Sequence, residues 1–142
     1  MKTLLIDYGS GNLRSAAKAL EVAGFDVHVS SDPADARDAD ALVLPGQGHF
    51  RQVMESFLAS GFEDAVRGHI AAEKPFLGIC VGMQILFESS EESDRPGLGV
   101  LPGRVKKFAN LDKSRPVPQM QWNRLEPVGD SQIGRASCRE RV

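Results

Sequence analysis

Five residues, Gly78-Ile79-Cys80-Val81-Gly82, stand at the seam between a short apolar run, Pro75-Phe76-Leu77, and a run of helical character from Val81 to Glu88. A strand that turns at once into a helix leaves no room for Cβ atoms two residues either side of its apex. Glycines at 78 and 82 therefore mark a nucleophile elbow, with sulfur at the apex in place of the usual serine oxygen. The turn presents the thiol of Cys80 to solvent, and the partial positive charge at a helix N-terminus favours the nucleophilic thiolate. A lone cysteine is more often a small buried hydrophobe. The strand, the paired glycines and the helix together argue for the reactive reading.

The other bounds are mild. A chain of 142 residues, 42% hydrophobic and 25% charged, is enough for one globular domain with a sizeable core. Its net charge of −2, with no Lys/Arg run longer than two before the last ten residues, excludes a nucleic-acid surface. The opening Met1-Lys2-Thr3-Leu4-Leu5-Ile6 meets Asp7 too soon for a signal peptide or a membrane helix, so a cytosolic protein is expected, with no membrane partner. In a reducing compartment the two cysteines, Cys80 and Cys138, are not expected to pair.

Strands and helices alternate along the first half. Thr3 to Asp7 reads as a strand, followed by the loop Gly9-Ser10-Gly11-Asn12 and a helix carrying Leu13, Ala16, Ala17 and Leu20 up to Gly24. Asp26 to Ser30 alternates as a second strand, Pro33 to Arg37 holds a short helix, and Ala41 to Leu44 is an apolar third strand closed by Pro45-Gly46. Helices follow over Phe50 to Ala59 and Phe62 to Ala72, with Val53, Phe57, Phe62, Val66 and Ile70 facing inward. Phe76 to Ile79 is the fourth strand, buried on both faces by its composition. This order predicts a doubly wound α/β fold, a parallel sheet with ligands at the C-terminal ends of its strands, where Cys80 lies. From Gly99 onward the pattern turns β-rich, with strands over Arg104–Phe108, Val117–Met120 and Asn123–Glu126.

Two glycine loops need assigning. Gly9-Ser10-Gly11 and Gly46-Gln47-Gly48 each follow a strand and open a helix, but a dinucleotide fingerprint would need a third glycine where Arg14 and Arg51 stand. No nucleotide cofactor is expected. A thiolate attacking a carboxamide creates an oxyanion that needs backbone N–H donors about 3 Å away. Val81, next after the nucleophile, supplies one, and the segment Gly46-Gln47-Gly48 can approach closely enough to supply the other.

The segments Ile6-Asp7-Tyr8-Gly9-Ser10-Gly11-Asn12-Leu13, Leu44 to Gly48, Gly78 to Phe87, Gly97 to Gly103 and Met120-Gln121-Trp122-Asn123 occur in this order. Together they resemble the class I (triad) glutamine amidotransferases, and among them the glutaminase subunits of imidazole glycerol phosphate synthase in histidine biosynthesis. The likeness runs over residues 3 to 128. It implies a flavodoxin-like fold, hydrolysis of glutamine to glutamate and ammonia, and docking onto a (β/α)8-barrel cyclase subunit, with no metal or organic cofactor. It assigns Cys80 as the nucleophile that forms the γ-glutamyl thioester, and Gly46, Gln47, Gly48 and Val81 as the oxyanion segment. Gln84 and Glu92 match positions holding the substrate glutamine, while Asn12, Met120, Gln121 and Trp122 match the face toward the cyclase. Gln84 lies four residues after Cys80, on the same helix face. Glu92 also reads as part of an acidic surface turn, and Trp122 as a core residue.

Departures from the pattern matter as much. The family's base histidine and its orienting glutamate lie in a His-x-Glu segment with no counterpart here, since no histidine follows His69. His49 sits beside the oxyanion segment but matches no catalytic position and reads as a helix-start surface residue. Gln121 replaces the glycine usual in Met-Gly-Trp-Asn. Residues 133–142 bring three arginines without apolar periodicity and read as a non-native tail, so the domain is expected over 1–132 with its C-terminal part missing. A cysteine hydrolase of the dienelactone or DJ-1-like kind, or a non-catalytic fragment that binds the cyclase or nothing, are the competing readings.

Overall fold

Short apolar runs punctuated by glycine become, in the computed structural model, the inner strands of a parallel sheet; the structure describes residues 1–108. Strands β1 (Lys2–Ile6), β2 (Asp26–Ser30), β3 (Ala41–Leu44) and β4 (Phe76–Gly78) form, among the described residues, one sheet in the order β2-β1-β3-β4. All three pairings are parallel, with Leu4 opposite Leu42 and Leu44 opposite Gly78. This is the flavodoxin-like order, whose switch point lies between β1 and β3. The expected α/β fold is therefore present, and the loops leaving β1, β3 and β4 are neighbours at one end of the sheet.

Local signals set the helices. Helix α1 (Leu13–Val22) starts where the Asn12 side chain accepts from the Ser15 N–H at 3.2 Å and stops before Gly24, whose φ of +89° a side chain would disfavour. A 3-10 helix over Pro33–Asp38 starts at Asp32, which accepts from Ala34 N–H. Helices α2 (Phe50–Ala59) and α3 (Glu63–Ala71) cover Leu4, Ile6, Leu42 and Leu44 with Phe50, Val53, Phe57, Phe62 and Val66, all but completely buried; Ile70 is half-buried against them. Each such side chain contributes about 1.5–3 kcal/mol through burial. Residues 1–107 form one compact unit, and no helix among the described residues is long and apolar enough to cross a membrane.

Three expectations are corrected. The fourth strand is not buried on both faces: Phe76 and Gly78 are half-buried and Leu77 is 44% exposed. Composition does not reveal sheet position, and among the described residues β4 pairs only with β3 and is an edge there. The helix expected from Val81 to Glu88 is a single turn, α4 (Val81–Gln84), followed by strand β5 (Phe87–Ser90). The carbonyls of Ile85, Leu86, Phe87 and Glu88, which a longer helix would use, accept instead from the N–H groups of Leu98, Val100, Gly99 and Gly97. Gly97 makes this possible, because a Cβ there would collide with the Phe87 carbonyl oxygen. Finally, the strand expected over 104–108 is β6 (Leu101–Val105), paired in parallel with β5. The strands expected over 117–126 and the domain end near 132 lie outside the described residues, as does the 133–142 tail.

Candidate active site

The loop after β4 carries the sharpest backbone feature. Cys80 has φ +56° and ψ −121°, a conformation that costs a non-glycine residue on the order of 1–3 kcal/mol and persists only where its surroundings impose it. Glycines impose it here. A Cβ on Gly78 would lie 2.7 Å from the Cα of Met83, and one on Gly82 would lie 2.8 Å from the carbonyl carbon of Pro45 and collide with the Leu44 oxygen. The Ile79 N–H also donates to the Leu44 carbonyl at 2.9 Å, so the elbow is bonded to the end of β3. The thiol is free and exposed, as the glycine spacing predicts. The helix behind it is one turn rather than two, and Gln84 closes that turn, half-buried, its N–H donating to the Cys80 carbonyl at 3.2 Å.

Beside the elbow runs the loop after β3. A Cβ on Gly46 would collide with the Gly82 nitrogen and approach the Val81 carbonyl carbon to 2.8 Å, so Gly46 lies backbone to backbone against the residue after Cys80. Gly46 and Val81 are both buried, and neither N–H has a hydrogen-bond partner among the described residues. Gln47 differs: its N–H donates to Ser10 Oγ at 3.3 Å and its carbonyl accepts from the same hydroxyl at 3.0 Å. Gly48 follows at φ +108° and is exposed. The structure thus brings Cys80, Val81 and Gly46 together, with Gln47 turned to the β1–α1 loop.

Side chains from two other segments hold this loop in place. Tyr8, the chain's only tyrosine, donates its hydroxyl to the Pro45 carbonyl and packs edge-on against Phe57 at 5.7 Å between ring centroids. Burial pushes the Tyr8 pKa up to about 12; the Ser10 hydroxyl works against that rise and a negative Cys80 adds to it. Glu92 Oε2 accepts from the Phe50 N–H at 2.8 Å, so this exposed carboxylate caps α2 just beyond the loop. Its neighbours reach the same helix, Asp94 pairing with Arg51 and Arg95 with Glu55 at 3.5 Å. Neither the Tyr8 nor the Ser10 contact was readable from local pattern, since each spans 37 residues.

His49 is exposed at the start of α2, its Nδ1 accepting from the Arg51 N–H at 3.3 Å. Asn12 is exposed and serves as the cap of α1. Met120, Gln121 and Trp122 lie outside the described residues. No group of three or more His, Cys, Asp or Glu side chains that could hold a metal occurs among the described residues.

Comparison with known proteins points the same way. Residues 5–122 match the CobB/CobQ-like glutamine amidotransferase domain. An imidazole glycerol phosphate synthase subunit HisH of Thermus thermophilus is 61% identical over 127 residues, 89% of this chain and 62% of that protein. Its counterpart from Deinococcus radiodurans is 56% identical over 133 residues, 93% of this chain and 61% of that protein. The chain therefore spans about three fifths of the length of these curated relatives. A crystal structure of a glutamine amidotransferase shares the fold, with a TM-score of 0.64 at 23% identity over 79% of this chain and 60% of that one.

Proposed function

This chain belongs to the family of CobB/CobQ-like glutamine amidotransferase domains, and from that premise we propose that it is the glutaminase part of an imidazole glycerol phosphate synthase. Glutamine would be hydrolysed to glutamate and ammonia, and the ammonia passed to a (β/α)8-barrel cyclase in histidine biosynthesis, within a cytosolic heterodimer. The single observation that carries the reading is the positive-φ elbow of Cys80 packed directly against Gly46.

In this reading the Cys80 thiolate adds to the side-chain carboxamide carbon of glutamine. The carbonyl electron pair moves to oxygen, which takes the unpartnered N–H groups of Val81 and Gly46. The carbon–nitrogen bond then breaks, ammonia leaves with a proton, and the γ-glutamyl thioester on Cys80 is hydrolysed by water. Gln84 and Glu92 hold the amino-acid end of the substrate. Glu92 spends one carboxylate oxygen on Phe50, which leaves the second for the substrate ammonium. Asn12 and the segment Met120-Gln121-Trp122 face the cyclase. The base that takes the thiol proton matches no histidine of this chain; in the family a His-x-Glu segment provides it.

The test is glutamate release from glutamine, with and without the cyclase subunit, by this chain and by a chain extended with a His-x-Glu segment. Losing one triad member leaves only about 10³–10⁴-fold acceleration over water. The extended chain should therefore show partner-stimulated turnover that Cys80→Ala abolishes, and this chain should be nearly inactive. Comparable rates from both chains would show that another group supplies the base. Turnover of simple esters by the extended chain, with no response to glutamine, would replace the proposal with a cysteine hydrolase.

A further inference from the structure

The loop that carries Glu92 is fixed from two sides. On one, the Glu91 N–H donates to the Val105 carbonyl at 3.0 Å and the Glu91 carboxylate accepts from the Lys107 N–H at 3.0 Å, which ties the loop to β6 and the residues just after it. On the other, Glu92 accepts from the Phe50 N–H at the start of α2. Two serine hydroxyls fold the chain between these points, Ser90 accepting from the Glu92 N–H at 3.2 Å and Ser93 from the Arg95 N–H at 3.1 Å. A single hydrogen bond to α2 would leave the loop free to pivot about it. Four charged side chains remove that freedom. Arg51 reaches both Asp94 and, at 3.9 Å, Glu55, and Glu55 reaches Arg95 at 3.5 Å. Asp94 and Arg95 are neighbours in the loop, while Arg51 and Glu55 stand one turn apart on α2, so the charges alternate around a ring that joins loop to helix at two points. An isolated exposed pair contributes little; a network of several charges contributes more.

We propose that Arg51 is a positioning residue for the substrate: through the ring Asp94–Arg51–Glu55–Arg95 it straps the 90–95 loop to α2, so that the Glu92 carboxylate stays placed for the ammonium group of glutamine. The proposal rests on the glutaminase reading and adds to it a residue that touches no substrate. Glu92 spends one oxygen on Phe50 and offers the other to the substrate, a division that works only while the loop behind it holds still. Arg51 supplies the hold from outside, with the Cys80 elbow left untouched.

The test uses this chain with diazo-oxo-norleucine, which carries the ammonium and carboxylate of glutamine. A proton passes from the thiol to the diazo carbon, the Cys80 sulfur bonds to that carbon, and dinitrogen leaves. The labelling rate of the Cys80 peptide against reagent concentration gives a half-saturating concentration, which reports recognition, and a limiting rate, which reports the thiol. Iodoacetamide, which needs no recognition, reports the thiol alone. In Arg51→Gln the half-saturating concentration should rise about three- to fivefold, the reach of a partly exposed charge network, while the limiting rate, the iodoacetamide rate and the melting temperature stay as they were. Arg51→Lys, which keeps the charge, should recover most of the loss. Asp94→Asn should repeat the loss from the loop side, and the double variant should be no worse than either single one, because the two residues act as one pair. In about 1 M sodium chloride, where the Debye length is about 3 Å, the gap between the unmutated chain and Arg51→Gln should close. An unchanged half-saturating concentration, additive losses in the double variant, or a gap that persists in salt overturns the proposal and leaves the glutaminase reading standing. A loss that extends to the iodoacetamide rate and the melting temperature makes Arg51 merely structural and also overturns it. If iodoacetamide labels Cys80 in the unmutated chain while diazo-oxo-norleucine shows no saturable labelling, the glutaminase reading falls and the proposal with it.

Discussion

Strands β1 and β3 carry Leu4, Leu5, Ile6, Leu42, Val43 and Leu44 at 2% exposure or less, whereas β4 and β6 carry Leu77 at 44% and Leu101 at 39%. The first region is covered on both faces; the second is, among the described residues, an edge strand, a one-turn helix and a two-stranded sheet. The candidate site lies on their seam. The loop after β3 hangs from the buried region and is pinned at Pro45, Gln47 and Phe50 by Tyr8, Ser10 and Glu92. Cys80 belongs to the open region and keeps its strained backbone through glycine contacts with the buried one. In the proposed reading, the part that would stabilise charge is preorganised by the core, and the part that would react depends on how tightly the elbow is pressed to it.

The largest effect that separates the regions is truncation of their leucines. Leu44→Ala, in the fully buried end of β3, should cost about 2–5 kcal/mol, and Leu77→Ala, in β4, distinctly less, about 1 kcal/mol, since 44% of its area is already exposed. Denaturant melts of the two variants give the comparison directly. Equal costs would mean that β4 is as well packed as β3 and that the division into two regions is false.

Next comes the seam itself. Gly82→Ala places a methyl against the Leu44 and Pro45 backbone, atoms that cannot swing aside as a side-chain tip does. The expected cost is about 1–3 kcal/mol, and Cys80 should lose its reaction with glutamine-analogue alkylators such as diazo-oxo-norleucine. Gly24→Ala is the control, because nothing lies within 4 Å of its Cβ and only its φ of +89° resists the change. If Gly82→Ala leaves both stability and labelling untouched, the close approach of elbow and loop is not what holds the thiol.

How much of this was legible in the sequence follows the range of the interactions. Strands β2 and β3 and helix α2 run over the residues expected, because turn residues and periodicity mark their ends locally. The elbow and its close contact with the loop after β3 were legible too, since Gly46, Gly78 and Gly82 are demanded by sterics that the motif encodes. The helix after Cys80 was overextended because Ile85-Leu86-Phe87 fits a helical period, while the pairing that overrules it comes from residues 97–101. The exposure of β4 was illegible because an apolar strand looks alike at the centre and at the edge of a sheet. Tyr8 stood within a quoted motif without a role; a single tyrosine two residues past the first strand, just before a glycine, was the signal for a hydroxyl reaching a neighbouring loop.

The smallest effect is a pH dependence at a tether across the seam. His69 in α3 is 6% exposed, and its Nε2 lies 3.0 Å from the carbonyl oxygen of Pro75 at the start of β4. The neutral ring, donating from Nε2, therefore ties the covered region to the edge strand. Burial lowers its pKa, with Lys74 adding to the fall and the hydrogen bond to Pro75 opposing it. A base whose folded-state pKa is depressed gives stability that is whole above its unfolded value, about 6.5, and that drains away as pH falls through the lower folded value. The unfolded chain takes up the proton first, so acid favours unfolding. The melting temperature should fall more between pH 7.5 and 5.5 in the unmutated chain than in His69→Gln, which keeps an amide N–H for the Pro75 carbonyl and never titrates. His28 and His49 are exposed and common to both chains, so the difference between the two profiles belongs to position 69. Parallel pH profiles would show that the ring is not held neutral at the seam and that β4 is anchored without it.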